Sequence, residues 1–223
     1  MKDSDSSVIY EKIENDIEEY KNFGRDGFER IKLWYSLPEE KRKIETGLKE
    51  APHEILLKKA VNLLLLGLKS KEVIDMEEPI DDILVGIGTE ILLKSIILKE
   101  DPKFFIQNTT DEKTPSFQKC KEKLVKLLPE KFTSKQTKRV LDVLELIQQR
   151  RNNAVHFGFH NTKIYREDYQ IANVLEFLLC YFFKNETEEV VKILREFKES
   201  RKVVSGIDYE PIDLWEGLED GKH

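Results

Sequence analysis

The stretch IDDILVGIGTEILLKSIIL, residues 80–98, carries apolar side chains at helical spacing around most of its surface. A helix that is apolar on most sides belongs in the middle of a bundle rather than at its edge. Gly86 and Gly88 lie within the apolar run and would let a neighbouring backbone approach closely. This stretch therefore predicts a buried central helix around which the rest of the chain packs.

The sequence on both sides of this stretch predicts further helices. Pro52 marks a helix start, and Thr133 is suited to cap the helix that follows it. Asp101-Pro102 ends the central helix, and residues 104–115 have the composition of a loop. Apolar residues recur at three- and four-residue spacing in the other helical segments, which are residues 53–69, 116–128, 165–184 and 185–203. Because no strand-like alternation of useful length occurs, we predict an all-α fold.

Three regions are predicted along the chain. Residues 1–50 are helical additions that begin with an amphipathic helix over residues 8–22. Residues 51–203 form the helical domain, in which His53 is expected at the surface of a first helical turn. Residues 204–223 are predicted to be a loosely held acidic tail.

Charge is distributed unevenly along the chain. The net charge is −6, which argues against a protein that coats nucleic acid non-specifically. Residues 113–139 nevertheless contain nine basic and two acidic side chains, whereas residues 208–220 contain six acids and no base. Such asymmetry directs a phosphate-bearing ligand to one face, although a solvated helix surface would show the same pattern. The residues predicted to bind RNA are Lys131, Lys135, Lys138 and Arg139.

The rest of the composition indicates a cytoplasmic protein without a metal or other cofactor. Cys120 and Cys180 are sixty residues apart, and neither belongs to a Cys/His cluster of the kind that binds zinc. The N-terminus has no apolar signal-peptide region. The longest apolar runs, residues 61–68 and 171–183, fall short of the roughly 20 residues that span a bilayer, so no membrane association is expected.

The stretch RRNNAVHFG, residues 150–158, gathers most of the potential chemistry of the chain. RNA cleavage without a metal needs a group that titrates near neutrality and a fixed positive charge for the phosphate. Histidine, with an ordinary pKa of about 6.5, supplies the first, and arginine supplies the second through its planar fork. Arg151 and His156 are the candidates, with Asn152 as a hydrogen-bonding support.

The spacing of these two residues limits how they act together. Five residues along a straight helix correspond to a rotation of about 140° and a rise of about 7.5 Å, so Arg151 and His156 would not share a face. Either the helix unwinds near Asn152 and Asn153, or a second copy of the chain completes the site. Gly158 predicts a helix end just beyond His156.

The segment RNNAVH, residues 151–156, resembles the motif of the HEPN superfamily, an arginine followed after four to six residues by a histidine, usually with a polar residue next to the arginine. Residues 88–98, with Glu90 ahead of apolar residues and Lys94, are similar to an earlier core helix of that family. The resemblance covers roughly residues 52–203. It implies a metal-independent endoribonuclease that acts as a homodimer in toxin–antitoxin, antiviral or RNA-processing systems, where an antitoxin or regulatory protein is a possible partner.

The resemblance also implies roles for individual residues. His156 would be the acid/base, Arg151 the phosphate-binding group and Asn152 its polar support, with Arg150, Asn153 and Glu90 as supporting residues. The toxin branch paired with nucleotidyltransferase antitoxins has a tyrosine two residues after the histidine. This chain has Gly158 at that position, which argues against that branch.

Other interpretations of the same residues stay open. A HEPN-type module that binds RNA or a nucleotide without cutting it would carry the same motif, and a helical interaction protein would explain the charged faces. His156 fits a purely structural role or a metal pair with His160, four residues later. Glu90 fits an ion pair with Lys94 at an exposed edge, or a carboxylate that faces a polar site.

Overall fold

The computed structural model describes residues 25–73, 80–110, 113–157, 165–184, 187–205 and 213–218. These residues form helices joined by short connections, and they contain no β-strand, only an isolated bridge between Thr110 and Lys113. The all-α prediction is confirmed. The helices are α1 (Arg25–Ser36), α2 (Glu39–Thr46), α3 (Pro52–Val73), α4 (Ile80–Glu100), α5 (Pro102–Gln107), α6 (Phe117–Val125), α7 (Ser134–Phe157), α8 (Tyr165–Phe183) and α9 (Glu188–Ser205).

Helix α4 is the centre of the bundle, as its apolar sequence predicts. It packs against α3, α5, α6 and α7, while α8 and α9 pack against each other. Leu92, Leu93, Ile96, Ile97 and Leu98 are completely buried along its second half. Burial of this kind contributes about 1.5–3 kcal/mol for each large apolar side chain, so α4 supplies much of the stability of the core.

The two glycines of α4 allow the close approach that the sequence predicts. A methyl group on Gly88 would lie 3.0 Å from Leu64 Cγ and 3.2 Å from the carbonyl oxygen of Ala60, both on α3. A methyl group on Gly86 would lie only 2.5 Å from Cβ of Arg151 on α7. Each glycine therefore brings a different neighbouring helix against α4.

Local signals explain where the helices begin, with one correction. Pro52 starts α3, and Thr133 and Gln136 cap α7 reciprocally, because each side chain accepts a hydrogen bond from the other residue's backbone N–H. The prediction that residues 104–115 form a loop is wrong for their first part. Asp101 caps a new helix, α5, by accepting a hydrogen bond from Phe104 N at 2.9 Å, and Pro102 fits its first turn.

The described part of the N-terminal region packs on the bundle as helical additions. Ile31 and Trp34 of α1 are buried. The prediction that His53 is a surface residue is wrong, because it is half-buried and its Nδ1 lies 2.9 Å from Tyr35 Oη. Its backbone oxygen also accepts a hydrogen bond from Ser95 Oγ at 2.7 Å. Burial lowers the pKa of His53, which therefore favours the neutral imidazole.

The C-terminal segment is held more firmly than its acidic composition suggests. Leu214 is buried, and the ring of Trp215 meets Phe177 of α8 edge-on with 5.0 Å between centroids. The prediction of a loosely held tail is therefore wrong for residues 213–218. The predicted helix over residues 8–22 and the residues from Gly158 to His160 lie outside the described part of the chain.

Where the structure describes the chain, no helix has the length and apolar character needed to cross a membrane.

Candidate functional site

Arg151 is placed by the contact between α7 and α4. A methyl group on Gly86 would lie 2.8 Å from both Cγ and Cδ of Arg151, so the aliphatic part of the arginine covers the glycine. This packing directs the guanidinium along α4 towards Glu90, four residues further on. The side chain of Arg151 remains 24% exposed, so it is not sealed in the core.

Glu90 joins Arg151 to Lys94. Its Oε2 accepts a hydrogen bond from Arg151 Nη1 at 2.6 Å, and its Oε1 accepts one from Lys94 Nζ at 2.7 Å. Arg151 Nη2 also donates to Asn152 Oδ1 at 3.3 Å. Glu90 therefore makes the predicted ion pair with Lys94, although at a part-buried position rather than an exposed edge, and it also contacts Arg151.

The electrostatics of this cluster favour an anion. Burial raises the pKa of Glu90, but the hydrogen bonds and charges of Lys94 and Arg151 outweigh burial and hold that pKa below its usual value. Glu90 is thus ionised at neutral pH and is unsuited to proton transfer there. Two cations around one carboxylate leave one net positive charge in a half-buried place, where it acts more strongly than in open water.

Arg150 lies in a different environment, although it is the next residue. Its side chain is only 4% exposed, its Nη1 donates to Asp168 Oδ1 at 2.7 Å, and its Nε lies 3.6 Å from Asp82 Oδ2. Burial lowers the pKa of Arg150, but the charges of Asp168 and Asp82 outweigh it and raise that pKa. This buried ion cluster ties α7 to α4 and α8. Arg150 therefore supports the site by fixing α7, and not by contact with a ligand.

His156 is exposed on the last turn of α7. The helix continues through Asn152 and Asn153 to Phe157, so of the two alternatives that the spacing leaves open, local unwinding does not occur. Asn152 accepts a hydrogen bond from Arg151, and Asn153 is half-buried. Ala154 is buried in the core. These contacts keep this turn helical. On an unbroken helix the two candidate catalytic side chains point about 140° apart.

The predicted RNA-binding residues lie near the opposite end of α7. Lys131, Lys135 and Lys138 are exposed, and Arg139 is half-buried. Lys138 precedes Arg151 by thirteen residues, which corresponds to about 20 Å along the helix. The structure therefore brings together Arg151, Asn152 and Glu90. His156 lies apart from them on the last turn of α7, and the basic cluster of Lys131, Lys135, Lys138 and Arg139 lies at and just before the start of that helix.

Sequence reasoning missed two residues that shape this region. Asp82 and Asp168 are the partners of Arg150, and each occurs in the first turn of a helix, where acidic residues are common for other reasons. Among the described side chains, no group of three or more His, Cys, Asp or Glu is placed to hold a metal ion.

Comparison of the chain with protein-family models, with curated proteins and with solved structures found no match.

Proposed function

We propose that this protein is a metal-independent endoribonuclease of the HEPN type, in which Arg151 binds the scissile phosphate and His156 transfers protons. The proposal rests on the hydrogen-bonding environment of Arg151. Glu90 and Asn152 hold its guanidinium in a half-buried cationic cluster, five residues before an exposed histidine on the same helix. A donor that is oriented before the substrate arrives stabilises developing phosphate charge without reorganisation.

The proposed reaction is an internal transesterification of RNA. The 2′-oxygen attacks the adjacent phosphorus, so that an O2′–P bond forms while the P–O5′ bond breaks. A neutral imidazole takes the proton of the 2′-hydroxyl, and a protonated imidazole gives a proton to the departing 5′-oxygen. The products are a 2′,3′-cyclic phosphate and a 5′-hydroxyl, and no water is consumed.

We propose that the active form is a homodimer. One straight helix directs Arg151 and His156 to different sides, so a single copy does not aim both at one phosphate. In a dimer, His156 of one copy can face Arg151 of the other, and that one imidazole can take the 2′-hydroxyl proton and then give it to the departing 5′-oxygen. Val155 and Ile87, which are 56% and 37% exposed, lie beside Arg151 and Gly86 and offer apolar surface to a second copy.

The test is cleavage of a single-stranded RNA in EDTA by the wild-type protein and by His156→Ala and Arg151→Ala. Each substitution is expected to slow cleavage about 100-fold or more, since acid–base and electrostatic groups contribute on that scale. Gln149→Ala, an exposed residue on the same helix, is the control and should cleave normally. Cleavage that survives both substitutions would remove Arg151 and His156 from the mechanism, and loss of cleavage in EDTA would refute a metal-independent reaction.

The unbroken course of α7 favours a second candidate, a module that binds RNA or a nucleotide without cutting it. In one copy, Arg151 and the basic cluster provide phosphate contacts, whereas His156 lies too far around the helix to join them. RNA binding that is weakened by Arg151→Ala but unaffected by His156→Ala, without any cleavage, would support this candidate over the nuclease.

A further inference from the structure

The segment of residues 213–218 docks at the N-terminal end of α7. The side chain of Gln136 is buried there, and its Nε2 donates to the backbone oxygens of Asp213 and Glu216 at 3.0 and 3.1 Å. The same side chain accepts a hydrogen bond from Thr133 N at 2.9 Å, so the residue that caps α7 also holds the segment. The docking therefore depends on backbone groups at a defined position.

Apolar contacts secure the same segment from its other side. Leu214 is 1% exposed, and Trp215 packs against Phe177 of α8. Trp215 N also donates to Asp213 Oδ1 at 2.8 Å, which stabilises the local turn. These anchors leave the carboxylates of Asp213 and Glu216 at the surface, where both residues are exposed.

The docking site of this acidic segment is Gln136, which the basic residues flank in the sequence. Gln136 follows Lys135 directly and precedes Arg139 by three residues, a separation that places two side chains about 5–6 Å apart at Cβ. In the sequence, Lys131 precedes Gln136 and Lys138 follows it. The backbone of Asp213 and Glu216 is therefore held at a residue whose neighbours in the sequence include all four cations, and exposed charges act on one another over a Debye length of about 8–10 Å.

We propose that this acidic segment is a built-in competitor of RNA phosphates for the basic cluster of Lys131, Lys135, Lys138 and Arg139. Carboxylates near these side chains lower the positive electrostatic potential that attracts RNA. They also block part of the space through which phosphates would approach. RNA binds only by outcompeting the segment, so release of the segment increases affinity. The inference rests on the proposed binding of RNA by the basic cluster.

The test compares the affinity of a fluorescent single-stranded RNA for the wild-type protein and for the double variant Asp213→Asn/Glu216→Gln. Both replacements keep the shape of the side chain, and the amide introduced at position 213 retains an oxygen that can accept from Trp215 N. The double variant is expected to bind roughly threefold to tenfold more tightly at low salt, since exposed ion pairs contribute on that scale. The gain should shrink as salt is added.

A matched control separates local competition from total charge. Glu39→Gln/Glu40→Gln on α2 changes the net charge equally, at two exposed positions on a different helix. A gain for Asp213→Asn/Glu216→Gln that exceeds the gain for this control supports the competitor. Equal affinities of the two double variants would overturn it while leaving RNA binding intact, and no RNA binding by any of the three proteins would overturn both proposals.

Discussion

The guanidinium of Arg151 donates a hydrogen bond to the carboxylate of Glu90 across 2.6 Å, between helices that are distant in sequence. The contact links the central helix of the bundle directly to the candidate site. Because Gly86 lies under the aliphatic part of the same arginine, α4 sets both the position and the direction of Arg151. The core of the fold and the proposed phosphate-binding group are therefore one structural unit.

We predict that Gly86→Ala destabilises the protein although alanine favours helices. The added methyl group would lie 2.5 Å from Arg151 Cβ, which forces α4 and α7 apart. Overpacking costs typically 1–3 kcal/mol, against a helix-propensity gain of up to about 1 kcal/mol. Chemical denaturation measures the difference. Gly88→Ala, whose nearest contact is 3.0 Å, should cost less, and the opposite order would contradict this account of the α4–α7 contact.

We predict that Arg150→Met destabilises the protein by about 3–5 kcal/mol, because it leaves Asp82 and Asp168 buried without their cation. Lys138→Met, at an exposed position on the same helix, should change stability by less than about 0.5 kcal/mol. Thermal or urea unfolding of both variants tests the difference. Similar stabilities for Arg150→Met and the wild type would show that the buried ion cluster does not hold α7 in place.

We predict a pH-dependent effect of Glu90→Gln on stability. The folded-state pKa of Glu90 is lowered from its ordinary value of 4.5, so ionisation stabilises the fold fully above that value. The contribution is lost as the pH falls through the lower folded-state pKa. The variant should therefore be less stable than the wild type by about 1 kcal/mol at neutral pH, and the two should converge in acid.

The matched variant for this prediction is Glu39→Gln, which removes an exposed carboxylate of α2. Urea denaturation at neutral and acidic pH gives the two stability profiles. A constant difference between the wild type and Glu90→Gln at all pH values would contradict the role assigned to the ionised carboxylate.

We predict that Val155→Asp separates the proposed homodimer into monomers and abolishes RNA cleavage. A charge at this 56% exposed position would be buried without a partner if a second copy packs there. Sedimentation velocity measures the change in mass. Ile44→Asp, at an 82% exposed position on α2, is the control and should leave the mass unchanged. A wild-type protein that sediments only as a monomer would refute the shared site.

Local patterns in the sequence predicted much of the fold. The periodicity of α4 and its glycine spacing depend on neighbouring residues alone, which is why the central helix and the close contacts at Gly86 and Gly88 were predictable. Helix α5 has six residues, too few to establish an apolar period. The docking of Trp215 was not predicted, because acidic residues surround it in the sequence. Its contact with Phe177 joins distant parts of the chain, which a local pattern does not show.

The candidate site was less predictable because its contacts are not local. The chain has 43 acidic residues, and nothing in the sequence singles out Asp82 and Asp168 as partners of Arg150. The alternative of local unwinding at Asn152 does not occur for a related reason. Its side chain hydrogen-bonds to the guanidinium of Arg151, so it does not compete for the helix backbone.

The central claim is that Arg151 of one copy and His156 of another form one RNA-cleaving site. Mixing the inactive variants Arg151→Ala and His156→Ala tests it most directly. Exchange of copies would create mixed dimers with one intact Arg151–His156 pair, and cleavage should return to roughly a quarter of the wild-type rate. A mixture that forms mixed dimers and remains as inactive as either variant alone would contradict the shared site.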